Sequence, residues 1–341
     1  MSASSLQKME TYQGGKYMST VVTGGAGFIG SHLVKRLLDE GREVLVADNF
    51  SRGRLENLKD VGAEKVKWVK ADLRDYSQAL AAIKDAETVY HLAAVVGSVE
   101  YLHGSEMAEL RALQDNLVID ANVFRACLQY KVRRIVYASS VSVYPIDLQQ
   151  KLDVVLSEED LRYYNPEGGY GWAKLLGEIQ LGWMKGIDIG IARIFTAYGP
   201  GEPLDETAHA VPALVRKAIM YPKEDFIVWG PGEQTRSFMY VSDCVEALLR
   251  LEEKASNPPL IVNVGSDKPI SIRELAEKIV EISGKEIKIK YDPSKPVGPM
   301  SRTANIKKAR EELGWNPTVS LEEGLRHTYG WVKKKLQSDS I

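Results

Sequence analysis

Short apolar runs alternate with amphipathic stretches over the first part of the chain. The apolar runs predict strands at residues 18–23, 43–48, 66–70, 88–92, 134–139 and 187–195. The stretches with helical spacing of apolar residues predict helices at residues 30–40, 76–83, 106–129 and 170–184. Because the strands lack polar alternation, we expect helices to cover both faces of a parallel sheet. The pattern therefore predicts an α/β fold with a Rossmann-type doubly wound sheet.

The pattern changes after Tyr198, where glycines and prolines interrupt it. The remaining apolar runs predict only short strands at residues 226–229, 237–241, 260–264 and 286–291. Short strands separated by glycines and prolines indicate a smaller, mixed α/β substrate domain over the carboxyl edge of the sheet. The expected division is a loose leader (1–16), a cofactor-binding Rossmann domain (17–195 and about 236–264) and a substrate domain (196–235 and 265–341).

Charge and cysteine content exclude several classes of function. The 44 Lys and Arg residues nearly balance 46 Asp and Glu residues, and the formal net charge is -2, so we expect no binding to nucleic acid or to a membrane surface. No segment approaches the length of about 18 apolar residues that a membrane span needs. Cys127 and Cys244 lie far apart and lack metal-ligand spacing, which argues against disulfides and zinc and favours a reducing, cytoplasmic location.

The segment from Val21 to Gly30 links a predicted strand to a predicted helix. It satisfies Gly-x-Gly-x-x-Gly at Gly25, Gly27 and Gly30, and Gly-x-x-Gly-x-x-Gly at Gly24, Gly27 and Gly30. Such a loop lets the main chain approach a pyrophosphate and aims the amides of a helix N-terminus at it. The position between strand and helix favours a dinucleotide site over a plain glycine turn.

Asp48 ends the second predicted strand, about eighteen residues after Gly30. A carboxylate at this position can accept hydrogen bonds from the adenosine ribose and repel a 2'-phosphate, which favours NAD. Arg52 and Arg54 follow closely and could accept such a phosphate, so NADP is the alternative.

Ser139, Ser140 and Ser142 follow a buried strand, where hydroxyls serve either an ordinary turn or the rim of a site. Tyr170 and Lys174 lie four residues apart, so both project from one face of a helix. An ammonium beside a phenol lowers its pKa from about 10 and suits it for proton transfer. The alternative to a catalytic pair is a structural one, in which the tyrosine is partly buried and the lysine extends its ammonium to solvent. A serine at a strand end facing a tyrosine on the next helix favours a site.

A set of motifs in a fixed order carries a family resemblance. They are TGGAGFIG (23–30), Asp48, DL (72–73), HLAA (91–94), SSVSVY (139–144), Tyr170 with Lys174, RIFTAYGP (193–200) and GEQTRSFMYV (232–241). Over residues 18 to about 335 the chain resembles the nucleotide-sugar epimerases and dehydratases of the extended short-chain dehydrogenase/reductase family. Within this family it is most similar to the GDP-mannose 3,5-epimerase group, through the motifs WG (229–230), QTRSF (234–238), NVGS (263–266) and LGW (313–315).

The resemblance implies a tightly held NAD, a nucleotide-diphosphate sugar as substrate, and a homodimer. It implies that Ser140 holds the C4 oxygen of the sugar, that Tyr170 takes the proton of the C4 hydroxyl, and that Lys174 holds the nicotinamide ribose and lowers the tyrosine pKa. The implied cofactor-binding residues are Gly24, Gly27, Phe28, Ile29, Gly30, Asp48, Asn49, Asp72, Leu73, Leu92, Ala93, Ala94, Tyr170 and Lys174. The implied substrate-binding residues are Arg236, Arg302, Thr196 and Gln234.

Departures from the family pattern bear on the reaction. Dehydratases of the family have an acid/base pair where this chain has Val141 and Ser142, and decarboxylating relatives have a glutamate at the Ser142 position, so both chemistries are disfavoured. The 3,5-epimerase group has a cysteine at Ser142 and a lysine at His209. A serine is a poorer base than a thiolate, whereas His209 is either a competent base or a surface histidine. Thr196 replaces an asparagine of many relatives, which blurs substrate identity.

We therefore expect a nucleotide-sugar epimerase that works by transient oxidation at C4 and is similar to GDP-mannose 3,5-epimerase. A 4-epimerase of the UDP-glucose or UDP-uronate type needs only Ser140, Tyr170 and Lys174 and is the first alternative. A net NAD-dependent sugar oxidoreductase is the second, and it would release NADH in stoichiometric amounts.

Overall fold

The computed structural model describes residues 19–338. The strands of these residues are β1 (Thr20–Thr23), β2 (Val44–Asp48), β3 (Lys67–Lys70), β4 (Thr88–His91), β5 (Arg134–Ser140), β6 (Val155–Leu156), β7 (Asp188–Ile194), β8 (Thr196–Tyr198), β9 (Ile227–Trp229), β10 (Thr235–Tyr240), β11 (Leu260–Val264), β12 (Pro269–Ser271), β13 (Lys290–Asp292) and β14 (Ser301–Ala304). The α-helices are α1 (Phe28–Asp39), α2 (Leu55–Asp60), α3 (Tyr76–Ile83), α4 (Val99–His103), α5 (Glu106–Tyr130), α6 (Gly168–Trp183), α7 (Ala210–Met220), α8 (Val241–Glu253), α9 (Ile272–Ser283), α10 (Lys307–Leu313) and α11 (Leu321–Ser338).

The largest sheet of the described residues has seven parallel strands in the order β11-β7-β5-β4-β1-β2-β3. The chain leaves β1 toward β2 and β3, and then crosses to β4, β5, β7 and β11 on the other side. Ligands of such sheets bind outside the carboxyl ends of the strands where the strand order reverses, here between β1 and β4. The predicted doubly wound α/β fold is confirmed.

Both faces of this sheet are buried. Val21 and Val22 are neighbours in β1 but belong to different hydrophobic clusters, as do Ile135 and Val136 in β5. Residues of α1 and α8 pack in one cluster, and residues of α3, α5 and α6 pack in the other. Burial on both faces explains why the strand sequences show no polar alternation.

A second layer lies beyond the carboxyl edge of β7. It contains a sheet with the order β12-β10-β14-β6, strand β8 beside β10, and the pair β13-β9. Helices α7, α9 and α11 pack in a separate core with Phe226, Phe238 and Leu325. The chain then returns to the main sheet, because β11 pairs with β7. The division into two domains with the stated boundaries stays a prediction.

Most predicted elements agree with the structure within one to three residues, and helix 76–83 coincides with α3. The predicted strand 286–291 is wrong over residues 286–289, because the paired segment is only β13 and begins at Lys290. Ile287 and Ile289 instead pack against the second core, which explains their alternation with polar residues. The leader 1–16 lies outside the described residues.

Candidate active site

One cleft of about 1060 Å³ lies at the carboxyl edge of the main sheet, between that sheet and the second layer. Every residue to which the sequence assigned a site role lines it: Gly24, Gly27, Phe28, Ile29, Gly30, Asp48, Asn49, Asp72, Leu73, Leu92, Ala93, Ala94, Ser140, Ser142, Tyr170, Lys174, Thr196, His209, Gln234, Arg236 and Arg302. The fold thus brings together residues that lie up to 278 positions apart in the chain. Their individual roles stay predictions.

The glycine loop between β1 and α1 leaves space that side chains would fill. Gly24 has a φ of +68°, and a Cβ there would lie 2.8 Å from the amide nitrogen of Ala93. A Cβ at Gly30 would lie 2.2 Å from the carbonyl oxygen of Gly24. Helix α1 begins at Phe28, so its free amides face the cleft beside the loop. This cradle fits the pyrophosphate of a dinucleotide.

Asp48 lies at the end of β2 on the wall of the same cleft. Its carboxylate accepts hydrogen bonds from the amides of Ala26 at 3.0 Å and Phe50 at 2.8 Å. Burial raises the pKa of Asp48, and these two hydrogen bonds partly offset the effect. A carboxylate tied to the glycine loop in this way fits the ribose hydroxyls of NAD. Arg52 extends instead toward Thr207, to which it donates a hydrogen bond at 3.1 Å.

The three serines after β5 have different surroundings. Ser139 donates a hydrogen bond of 2.5 Å to Glu178, so its role is structural. Ser140 accepts a hydrogen bond from the amide of Ser142, and its hydroxyl lies next to the phenol of Tyr170, whose pKa it lowers. The pairing of a strand-end serine with a tyrosine on the next helix, which the sequence suggested, is therefore present at Ser140.

A buried ion pair fixes the strands beneath these serines. Arg193 of β7 contacts Glu178 of α6 at 2.7 Å, and both side chains are almost completely buried. The Arg193 guanidinium also donates to the Tyr144 hydroxyl at 3.1 Å, and Tyr144 in turn donates to Asn263 at 2.6 Å. The network joins β5, α6, β7 and β11, so the serine turn is held by rigid elements.

Tyr170 and Lys174 are both buried at the start of α6. Burial raises the pKa of Tyr170, although its hydrogen bond to Ser140 acts in the opposite direction. Burial also disfavours the charged form of Lys174 and therefore lowers its pKa, while the carboxylates of Asp120 and Glu178 oppose this change. The sequence predicted a lowered tyrosine pKa, and this direction is wrong. The loss of water around the phenol outweighs the effect of Ser140, and the carboxylates of Asp120 and Glu167 raise the pKa further.

A buried polar network behind Lys174 was not anticipated from the sequence. His91 lies 2.7 Å from the Thr23 hydroxyl through Nδ1 and 3.0 Å from Asp120 through Nε2. Tyr137 donates a hydrogen bond of 2.5 Å to the other oxygen of Asp120, and the Lys174 ammonium lies 4.6 Å from the centre of the Tyr137 ring. Asp120 thus supplies negative charge near the ammonium, although it stands on a helix that carried no motif.

Two arginines face the cleft from neighbouring strands of the second layer. Arg236 of β10 and Arg302 of β14 are register partners. Burial, followed by the charge of Arg302, lowers the pKa of Arg236 to about 9. Arg302 donates to Gln149 at 2.7 Å and forms an ion pair with Glu167. Two guanidiniums with one facing carboxylate leave positive charge, which suits a diphosphate.

His209 faces the cleft just before α7, where its Nδ1 atom hydrogen-bonds Glu202 at 3.0 Å. Glu202 is buried, and burial raises its pKa. Its second oxygen has no hydrogen-bond partner within residues 19–338, and the same holds for Oε1 of Gln234. A carboxylate partner favours the histidine tautomer that leaves Nε2 free to act as a base. The sequence identified His209 but not Glu202.

Two features are absent from the described part of the chain. Residues 19–338 contain no group of three or more His, Cys, Asp or Glu side chains arranged to hold a metal ion. None of the helices formed by these residues has the length and apolar character that crossing a membrane requires.

The glycine cradle, the strand-end carboxylate and the Ser-Tyr-Lys constellation define a dinucleotide-binding α/β protein of the short-chain dehydrogenase/reductase type. Residues 20–265 match the model of the NAD dependent epimerase/dehydratase family, and the chain belongs to this family. Its cofactor is NAD, and the family consists of enzymes that act on nucleotide sugars.

Individual relatives include more than one activity. The chain is 31% identical over 333 residues to GDP-mannose 3,5-epimerase 1 of Oryza sativa subsp. indica, with 97% of this chain and 85% of the relative covered. It is 33% identical over 321 residues to UDP-glucuronic acid decarboxylase 1 of Arabidopsis thaliana, with 92% and 69% covered. Among solved structures it is similar to a UDP-glucose 4-epimerase of Thermotoga maritima, with a TM-score of 0.83, 28% identity and 94% and 100% of the two chains covered.

Proposed function

We propose that the protein is a nucleotide-sugar epimerase that oxidises its substrate transiently at C4 and acts like GDP-mannose 3,5-epimerase. The observation that carries the proposal is the contact between Ser140 and Tyr170 at the end of β5, beside Lys174 and in the same cleft as the glycine loop. The arginine pair lies across that cleft, so a nucleotide diphosphate and a sugar can both be accommodated.

Each residue of this constellation has a distinct task. Ser140 holds the C4 oxygen, and Tyr170 takes the proton of the C4 hydroxyl and later returns it. Lys174 supplies positive charge that favours the phenolate, and the carboxylate of Asp120 opposes the loss of that charge on burial. NAD, held by the glycine loop and Asp48, would supply a reversible acceptor for the hydride of C4. The resulting ketone acidifies the protons on the neighbouring carbons.

Inversion at C3 and C5 needs proton transfer on those carbons, and His209 supports this branch. Its contact with Glu202 orients Nδ1 toward the carboxylate and directs Nε2 elsewhere. The similarity to GDP-mannose 3,5-epimerase 1 supports the same branch. Decarboxylation is disfavoured, because Ser142 stands where the decarboxylating relatives have a glutamate.

Inversion at C4 alone is the second candidate, and the structural similarity to the UDP-glucose 4-epimerase favours it. It requires only rotation of the ketone within the cleft and the Ser140, Tyr170 and Lys174 constellation.

A substrate panel distinguishes the two candidates. The protein is incubated with UDP-, GDP-, dTDP- and CDP-hexoses in heavy water, and the products are analysed by mass spectrometry and NMR. Deuterium at C3 or C5 supports the 3,5-epimerase, and inversion at C4 without deuterium supports the 4-epimerase. Loss of water or carbon dioxide, or stoichiometric release of NADH at 340 nm, would contradict both.

We further propose a homodimer formed through α5 and α6. Both helices pack against each other and expose large apolar side chains: Met107, Leu110, Val118 and Leu128 on α5, and Trp172 and Trp183 on α6. Apolar residues in such a stripe are typical of an interface between subunits. Light scattering should give twice the chain mass, and Trp183→Glu combined with Met107→Glu should give the monomer mass. A monomeric wild-type protein would contradict the proposal.

A further inference from the structure

Glu167 contacts Ser142 at the point where α6 begins. The Ser142 hydroxyl donates a hydrogen bond of 3.0 Å to Oε2 of Glu167. The backbone repeats the contact, because the amide of Glu167 donates to the carbonyl of Ser142 at 2.9 Å. A Cβ at Gly171 would lie 2.4 Å from that carbonyl, so the helix and the serine turn are in tight contact. The position of Glu167 relative to Ser142 is therefore fixed by main-chain packing.

Two contacts of the same kind lie side by side. Ser140 contacts Tyr170, and Ser142 contacts Glu167. The serines are two residues apart in one turn, their partners are three residues apart at the start of one helix, and all four line the cleft. If Ser140 and Tyr170 hold the C4 oxygen, the second contact lies beside a neighbouring ring carbon.

The charge state of Glu167 suits a proton acceptor. Burial raises its pKa, but the guanidinium of Arg302, the nearby His103 and the Ser142 hydroxyl outweigh burial and hold the pKa below its usual value. Glu167 is therefore ionised at neutral pH. A serine hydroxyl alone hardly ionises near pH 7, but one that donates to a buried carboxylate can pass its proton on as it takes another.

We propose that Glu167 accepts the proton removed from the carbon next to the C4 ketone, with the Ser142 hydroxyl as the relay between them. This step rests on the proposed 3,5-epimerase function. The C–H bond breaks, its proton goes to Oγ of Ser142, and the proton of Ser142 passes to Glu167. The electron pair of the C–H bond forms the double bond of an enolate, whose oxygen is held by Ser140 and Tyr170. A protonated His209 on the second-layer side of the cleft gives the proton of its Nε2 atom to the carbon and completes the inversion. Glu167 then releases its proton to water, and Nε2 of His209 takes a proton from water, which restores both groups.

The Glu167→Gln variant tests the relay, because it keeps a hydrogen-bonding side chain but removes the basic oxygen. We expect deuterium incorporation at C3 or C5 to fall by about 10² to 10⁴, the usual contribution of general acid–base catalysis. Oxidation at C4, followed by absorbance at 340 nm in a single turnover, should stay within a few-fold of wild type. Glu167→Asp should recover part of the incorporation. Thermal unfolding and NAD content show whether each variant is folded.

Glu158→Gln is the matched control. Glu158 is also a partly buried carboxylate, and it accepts a hydrogen bond of 2.6 Å from the amide of Asn263, away from the cleft. This variant should change neither deuterium incorporation nor C4 oxidation.

A bypass variant separates the relay from a structural role. Ser142→Cys introduces a thiol with an ordinary pKa of about 8.5, which ionises without a carboxylate partner. Added to Glu167→Gln, it should restore deuterium incorporation at least tenfold, roughly the scale of one acid–base contribution. If Glu167→Gln slows C4 oxidation as much as incorporation and Ser142→Cys restores neither, Glu167 only holds Arg302 and the relay is wrong. A wild-type protein that labels no sugar, or inverts only C4, refutes the 3,5-epimerase function and the relay with it. If Glu167→Gln incorporates deuterium as fast as wild type, the relay is refuted while the 3,5-epimerase function stands.

Discussion

Gly30→Ala should abolish tight NAD binding while the chain still folds. A Cβ at this position would lie 2.2 Å from the carbonyl oxygen of Gly24, about 0.8 Å inside the shortest approach that Cβ atoms show. The carbonyl cannot simply turn away, because it accepts a hydrogen bond of 3.0 Å from the amide of Gly27. Gly24 itself cannot move toward Ala93, whose backbone already lies against it. The loop must therefore shift away from α1.

The shift sets the magnitude of the effect. It displaces the amides that would face the pyrophosphate, and a hydrogen bond to a charged group contributes about 1.5–3 kcal/mol. Loss of one or two such bonds costs about 1.5–6 kcal/mol, which raises the dissociation constant of NAD by a factor of about 10 to 2 × 10⁴. The nucleotide retained after gel filtration and heat denaturation, and calorimetric titration with NAD, measure this change.

Gly330→Ala is the control for the substitution itself. Gly330 lies within α11, and a Cβ there would meet no atom within 4 Å. The variant should bind NAD as wild type does and gain about 0.5–1 kcal/mol in the free energy of unfolding. Wild-type NAD affinity in Gly30→Ala would refute the interpretation of the loop as a pyrophosphate cradle.

Three further outcomes follow from buried charges. Arg193→Met should lower the free energy of unfolding in urea by about 3–5 kcal/mol, because it leaves Glu178 as an unpaired buried charge. Adding Glu178→Leu should recover most of this loss. Equal losses in the single and double variants would contradict the prediction. Burial lowers the pKa of His91 despite the hydrogen bond that it donates to Asp120, so the unfolded chain binds the proton first and stability falls as the pH drops below about 6.5. The melting temperature of His91→Asn should depend less on pH between 7 and 5. Arg236→Met should weaken binding of nucleotide sugars in calorimetric titrations without changing NAD content.

Local pattern was sufficient for the main sheet and the cofactor loop. Strands buried on both faces carry continuous apolar runs, and the glycine spacing is imposed by close approaches such as that of Gly24 to Ala93. The tyrosine–lysine pair was visible because one helix turn places both side chains on one face. The apolar runs and the tyrosine–lysine pair depend on residues close in sequence, and the distant contact of the glycine loop leaves a fixed glycine spacing, so sequence reasoning could identify all three.

The acidic partners in the site could not be predicted in the same way. No local pattern in the sequence distinguishes these residues from ordinary solvated carboxylates. Only tertiary packing brings Glu167 to Ser142, Glu202 to His209 and Asp120 to Lys174. The direction of the Tyr170 pKa was wrong for the same reason, because it depends on how completely the fold removes water from the phenol.

The return of β11 to the main sheet makes the two layers parts of one cooperative unit. A fragment cut at residue 195 would lack β11, so β7 would become an open edge, and the buried side chains of Val262 and Val264 would be missing from the core beneath it. The cofactor-binding layer is therefore not a module that can be excised and expressed alone. Heat or denaturant should unfold the molecule in a single transition. Limited proteolysis should leave either the intact chain or small peptides, without a stable fragment of the size of one layer.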